Sequence, residues 1–257
     1  MEYMVVGVAA VFTSMLTLFS GFGLGTLLMP AFVLFFPVDV AVALTAVVHF
    51  LNNLFKFALL GRRADKGTVL RFGVPALLAA FAGAGALVLL SDIPPVAEYT
   101  LLGRTCSVWP VSLVIAALML FFALFEVLPM FRHLTFDRRH LVAGGILSGF
   151  FGGLSGHQGA LRSAFLVKTG LSKEGFIATN VAIALLVDVA RLMVYGLNYD
   201  RLGLDRNAPL LVTATLCAFL GAFIGTRLMK KVTFRAVQWI VTAMLMAIAV
   251  LLGAGII

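Results

Sequence analysis

Charge is what this sequence lacks most. Only 12% of its 257 residues are Asp, Glu, Lys or Arg, against about 25% in soluble domains. So little charge excludes the solvated surface of a water-soluble enzyme or binding module. Cysteine is scarce too. Cys106 and Cys217 stand in different regions with no metal-type spacing, which excludes a disulfide framework and a thiolate zinc site. No Walker-type loop is present, so ATP would have to be used by another chain. The opening MEYMVVG has no basic stretch before its apolar run and reads as a poor secretory signal. No cofactor and no metal are expected.

What is there is apolar: 62% of residues are hydrophobic and the mean hydropathy is +1.10. Runs near 20 residues are long enough to cross about 30 Å of hydrocarbon. The chain reads as a polytopic membrane protein with no room for a separate soluble domain. Its net charge of +8 does not point to nucleic acid, because the basic residues fall between the apolar runs, as they do in membrane proteins.

Eight apolar segments emerge: 4–36, 40–60, 72–90, 111–130, 141–166, 175–197, 208–229 and 235–256. The first and fifth are too long for one crossing at about 1.5 Å per residue and too short for two. Each is also interrupted by glycines, at Gly21, Gly23 and Gly25 and again from Gly152 to Gly159. The basic residues set the topology. With 61–71, 131–140, 167–174 and 227–235 in the cytoplasm, 13 Lys and Arg lie inside and 3 outside, while Lys56, Arg162 and Arg191 fall within segments. That arrangement requires segments 4–36 and 141–166 each to dip in and return, and it puts both termini outside.

The two halves, 1–130 and 131–257, also match each other. Ser20-Gly21 aligns with Ser155-Gly156, Asn53 with Asp188, Lys56 with Arg191 and Gly61 with Gly196, all at a separation of 135. Phe81-Ala82-Gly83-Ala84 matches Phe219-Leu220-Gly221-Ala222 at 138. The expected fold is therefore all-α, with two inverted repeats, each a glycine-broken helical hairpin plus three transmembrane helices. Inverted repeats with discontinuous helices build many secondary transporters, whose substrate lies near the midplane where the breaks meet. Irregular backbone at that depth is tolerated only where it is buried in protein or lines a cavity.

At these residues the chain resembles the sulfite exporter TauE/SafE family of membrane permeases. The resemblance covers essentially the whole sequence. It rests on the two-half organisation, on Gly21-Phe22-Gly23-Leu24-Gly25 running on to Pro30, and on Gly149-Phe150-Phe151-Gly152-Gly153-Leu154-Ser155-Gly156. The family pattern of a glycine run followed by leucine and proline keeps its proline here only in the first copy. The second continues as His157-Gln158-Gly159-Ala160-Leu161-Arg162-Ser163. The resemblance implies transport of sulfite, sulfonates or related small anions.

Arg162 is the sharpest candidate for an anion ligand. A charge inside a span costs at least about 2.5–3.5 kcal/mol, so it faces a cavity or a partner, and its planar fork suits sulfonate or carboxylate oxygens. The alternative is that it snorkels to the cytoplasmic headgroups. His157 and Gln158 either donate to the same anion or satisfy backbone freed by the break. Backbone N–H groups of 156–159 and 21–25 add a helix-terminus anion site, so Ser155, Gly156 and Gly159 join the substrate-binding candidates. Asp188 and Arg191, three apart, pair on one helix face, either as a structural pair or with Asp188 as the proton-coupling group. Lys56 either joins them beside Asn52 and Asn53 or snorkels. Thr45 and His49 share that stripe, and Glu126 has no evident partner. Close packing is the default reading of the GxxxG pairs Gly21/Gly25, Gly149/Gly153 and Gly221/Gly225.

The sequence thus reads as a secondary transporter in the bacterial cytoplasmic membrane whose partners are a small anion and the lipid bilayer, with a proton as candidate coupling ion. An anion channel or a non-transporting subunit is the alternative. A membrane-embedded enzyme is disfavoured, because no catalytic motif links His157, Asp188, His49 and Glu126.

Overall fold

The computed structural model describes residues 1–16, 24–132, 134–197, 206–228 and 235–257. Its helices are α1 (Glu2–Leu16), α2 (Leu24–Val33), α3 (Val38–Leu60), α4 (Val74–Ser91), α5 (Pro110–Val127), α6 (Leu141–Ser155), α7 (Gly159–Leu166), α8 (Lys173–Gly196), α9 (Ala208–Leu228) and α10 (Arg235–Gly253). Local chemistry fixes several ends. Pro110 opens α5 at a position where its missing N–H costs nothing. The Ser172 hydroxyl accepts from the Gly175 N–H at 3.1 Å and caps α8. Gly156 closes α6 in the left-handed region at φ 81°, where a side chain would be strained.

Among the described residues four helical runs are long and apolar enough to cross a membrane: Val38–Arg63, Lys66–Ser91, Lys173–Gly196 and Ala208–Gly225. The second starts earlier than the sequence reading of 72–90. A π-helical turn, Val69–Gly73, carries the helix past Pro75, so Arg71 stands on a helix rather than in a loop. On α9, Val212, Leu216, Leu220 and Phe223 are exposed while Ala214, Ala218 and Ala222 are buried. Large apolar groups outward and small ones inward is the pattern of a helix between lipid and a protein interior.

One part of the all-α expectation is corrected. Residues 97–108 form an antiparallel hairpin, β1 (Ala97–Leu101) and β2 (Arg104–Val108). Its turn is Leu102-Gly103, both at positive φ. A leucine there is unusual, and the Asn-Gly or Asp-Gly signal that marks such turns in sequence is missing.

The segment 141–166 folds back on itself as expected. The Gly152 Cα faces Gln158 and the Gly144 Cα faces the Phe165 ring, so α7 runs antiparallel along α6. The Phe136 N–H reaches the Ala164 carbonyl at 3.2 Å, which puts the start and finish of the hairpin at one end of the molecule. That same end holds the basic loops: the Asp65 N–H bonds Thr179 Oγ1 at 2.9 Å and Arg138 bonds the Thr169 carbonyl at 2.6 Å. The opposite end gathers Phe36, Asp39, Ser91, Thr105, Trp109 and Ile257 around a cavity of about 450 Å³.

Close backbone approach holds the hairpin in place. Gly145, Gly149 and Gly153 lie along α6 opposite Phe72, Ala76 and Ala80 of the α4 run, a parallel register with a four-residue period. On the other side of the molecule Gly7 of α1 faces Thr213 and Cys217 of α9, and Gly221 of α9 faces Val11.

Candidate functional site

The start of α2 meets the break of the second hairpin. A Cβ on Gly25, at the start of α2, would lie 3.2 Å from the Gly156 carbonyl oxygen. A Cβ on Gly156 would lie 3.2 Å from one terminal nitrogen of Arg191. No side chain fits between the two chain breaks and the guanidinium. Gly21 and Gly23 lie outside the described residues, so Gly25 alone represents the first motif.

Helix α8 supplies the polar wall. Asn180, Asp188, Arg191 and Tyr195 follow one another at helical spacing on one face, with Ala184 between the first two. Asp188 is 0% and Arg191 1% exposed. Across from them on α3, His49 Nδ1 stands 2.6 Å from Asp188 Oδ2. Asn53 donates to the same oxygen at 3.3 Å, and its Nδ2 is also 3.1 Å from His49 Nδ1. Arg191 donates to Asp188 Oδ1 at 3.4 Å and to the Val42 carbonyl at 3.3 Å. Its guanidinium centre sits 5.8 Å from the Tyr195 ring centroid, and the Tyr195 hydroxyl donates to the Gly153 carbonyl at 2.9 Å. The pairing of Asp188 with Arg191 is as the sequence suggests, but the tighter partner of Asp188 is His49.

The hairpin supplies the other wall. Arg162 is 7% exposed, its Nε donating to Asn180 Oδ1 at 2.8 Å and a terminal nitrogen to Gln158 Oε1 at 2.9 Å. It is buried in the protein, not reaching for the surface. Gln158 is held from the other side as well, its carbonyl accepting from Ser148 Oγ at 3.2 Å, while its Nε2 has no partner. The Ser155 hydroxyl donates to the Phe151 carbonyl at 3.0 Å. His157 Nδ1 lies 3.1 Å from both the carbonyl and the hydroxyl of Ser155, which engages one ring nitrogen and leaves Nε2. That Nε2 is buried with no partner, and the ring lies parallel to Phe122 with centroids 5.7 Å apart. Gly159 begins α7 and is buried.

Lys56 is 7% exposed, again inside the protein rather than at its rim. Thr45 Oγ1 donates to the Ala41 carbonyl at 2.7 Å, and Asn52 accepts from Ser14 Oγ at 3.2 Å. The Glu126 side chain lies outside the described residues. Among the described residues no cluster of His, Cys, Asp or Glu could hold a metal ion.

This arrangement is rich in buried donors. Asn52 Nδ2, Gln158 Nε2 and Arg191 Nε have no partner, and the N-termini of α2 and α7 both open at the break, where N–H groups and the helix dipole favour negative charge. Donors of this kind suit the oxygens of an anion.

The model of one protein family, described as Sulfite exporter TauE/SafE, matches residues 6–252. The chain belongs to this family. It is a multi-pass membrane protein of a transport family. No curated protein and no solved structure matches the chain.

Three residues of this permease's site escape a reading by motif: Asn180, Tyr195 and Phe122. For the first two a signal exists, since both continue the face of Asp188 and Arg191 by whole turns. Phe122 has none, because a phenylalanine on an apolar helix looks like any other.

Proposed function

We propose that this permease is a secondary transporter that moves a small anion, such as sulfite, a sulfonate or a related sulfur compound, across the cytoplasmic membrane, with a proton as coupling ion. Arg162 carries the reading. It is a buried guanidinium whose described hydrogen bonds go to the neutral amide oxygens of Gln158 and Asn180. Neutral oxygens position the fork without cancelling its charge, and buried charges are stable when paired. A bound oxyanion supplies the pairing, and the unpartnered nitrogens of Gln158 and Arg191 add donors for its remaining oxygens.

The gathering of loops 61–71, 131–140 and 167–174 at one end supports a cytoplasmic location for that end and external termini, by the charge asymmetry of membrane proteins. The pairing of Asn53 with Asp188, residues matched between the halves, supports an inverted repeat with the site on its axis.

The test is binding of sulfite, thiosulfate, alkylsulfonates and carboxylates to the purified protein by thermal shift, followed by exchange of the best ligand in liposomes. Arg162→Lys keeps the charge but cannot hold both amides and present a fork. Losing one charge-assisted hydrogen bond, about 1.5–3 kcal/mol, weakens binding about tenfold to a hundredfold. Unchanged affinity in a well-expressed Arg162→Lys protein refutes the assignment of Arg162. Flux that never saturates refutes a carrier.

A further inference from the structure

His49 is 5% exposed on α3, and its Nδ1 is 2.6 Å from Asp188 Oδ2. The other carboxylate oxygen is 3.4 Å from Arg191, at the far edge of hydrogen bonding. One carboxylate therefore serves two partners, holding the imidazole tightly and the guanidinium loosely. Arg191 has other marks of a contact ready to be exchanged. Its bond to the Val42 carbonyl is also long, at 3.3 Å, its Nε has no partner, and its terminal nitrogens lie against the side of Gly156 where no side chain stands. Nε together with a terminal nitrogen is an edge of the fork that grips an oxyanion with two parallel bonds.

We infer that His49 takes up one proton for each anion bound, the anion replacing Asp188 as the counter-ion of Arg191. The inference rests on the anion reading above and names the proton-binding group within it. In the empty site the Asp188 carboxylate offsets the Arg191 guanidinium, and neutral His49 donates its Nδ1–H to Oδ2. An anion that pairs with Arg191 leaves Asp188 as an uncompensated buried charge, which the low-dielectric interior penalises. A proton from water added to His49 Nε2 cancels it. Only that N–H bond forms; with a monovalent anion both resulting pairs, guanidinium with anion and imidazolium with aspartate, are neutral, and the second charge of a divalent one falls to Arg162.

The described charged and titratable groups around His49 are few. Asp188 and Arg191 face it from α8, and Lys56 follows on α3. His157 and Arg162 belong to the α6–α7 hairpin that packs on α8. Helices α2 and α9 bring no described Asp, Glu, Lys, Arg or His to this face. Because binding of anion and proton is reciprocal, the two travel together.

The experiment is calorimetric titration of the purified full-length protein with thiosulfate and with ethanesulfonate, from about pH 5.5 to 8.5, across the ordinary histidine range. Both probes stay ionised throughout, so any proton taken up belongs to the protein. Repeating each titration in two buffers of different ionisation heat counts those protons without any variant. The expected result for the wild type is close to one proton per anion, with affinity falling about tenfold per pH unit on the alkaline side. In His49→Gln, which keeps a hydrogen-bonding side chain, binding falls to the level the wild type shows at the alkaline end, and both the proton uptake and the pH slope vanish. Anion binding with no proton uptake in the wild type overturns the inference and leaves the anion reading standing. Proton uptake retained in His49→Gln overturns it also, moving the proton to another group. Binding of neither probe at any pH overturns the anion reading for sulfur oxyanions, and this inference with it.

Discussion

Gly149→Ala puts a methyl group where α6 touches the backbone of α4. A Cβ at this position would lie 2.5 Å from the Ala76 Cα and 2.6 Å from its carbonyl carbon. Carbon atoms pack at about 3.5–4.0 Å, so the two helices must part by roughly 1 Å. The obstacle is backbone, which cannot rotate away as a side chain can. A gap of that size forfeits about a quarter to a half of each dispersion contact along the interface, and overpacked sites cost about 1–3 kcal/mol. The upper half of that range is expected here. Gly85→Ala is the control: it lies on α4 itself with nothing within 4 Å of its added Cβ. There the methyl only improves helix propensity, a gain of about 0.5–1 kcal/mol. Reversible unfolding in mixed detergent micelles should therefore rank Gly85→Ala at or above wild type and Gly149→Ala well below it. Equal stability of the two variants would refute the close-packed α4–α6 interface, and with it the placement of the Gly156 break.

Two further outcomes are expected. In a cysteine-free background, an impermeant maleimide added to intact cells labels a cysteine at Leu102, and labels cysteines at Lys66 and Lys168 only after the membrane is opened; labelling of Lys66 and Lys168 from opposite sides would break the fold, and labelling of both from outside would reverse the orientation. Asp65→Ala removes the carboxylate that accepts from the Thr68 N–H at 2.8 Å at the start of the Lys66 helix, for a loss of about 1 kcal/mol. The hydrogen bonds from Thr68 hold the Asp65 carboxyl below its ordinary value, so this stabilisation is complete above about pH 3.9 and is lost as pH falls through the lower folded value. The gap in melting temperature between Asp65→Ala and wild type should close in acid, and a gap that widens there contradicts the assignment.

Much of the fold was legible because the bilayer permits few structures. Length and hydropathy mark the long runs, and the count of basic residues forces 141–166 to return on itself, which the contact of Gly144 with Phe165 bears out. The left-handed residue that ends α6 is written as Gly156. Arg162, Asp188 and Arg191 stand out because a charge in an apolar run has few benign explanations. What stayed hidden depends on partners far apart in the chain. The β1–β2 hairpin turns on Leu102-Gly103, which carries no ordinary turn signal. Asn180 is an unremarkable polar residue until Arg162 reaches it from another helix. His49 reads as an ordinary buried histidine, and only the approach of α3 to α8 turns it into the closest partner of Asp188.

That approach follows from how the halves pack. Gly145 of α6 lies beside Pro75 of α4, and Gly7 of α1 lies beside Thr213 of α9. Gly7 and Gly145 are 138 apart in sequence, as are Pro75 and Thr213. Helix α6 thus packs on α4 as α1 packs on α9, and under the proposed repeat one contact is the copy of the other. Gly83 against Phe150 and Leu154, and Gly221 against Val11, are further close contacts between the same helix pairs. Reciprocal contacts of this kind are what a two-fold axis generates, as in an isologous interface between subunits. A residue near such an axis must meet its own counterpart, and Asn53 meets Asp188 at 3.3 Å. Had both positions kept asparagine, the centre would be neutral and symmetric. Aspartate in the second copy alone gives the proposed axis one negative charge, and with it a reason for Arg191, His49 and an incoming anion to compete for the same place.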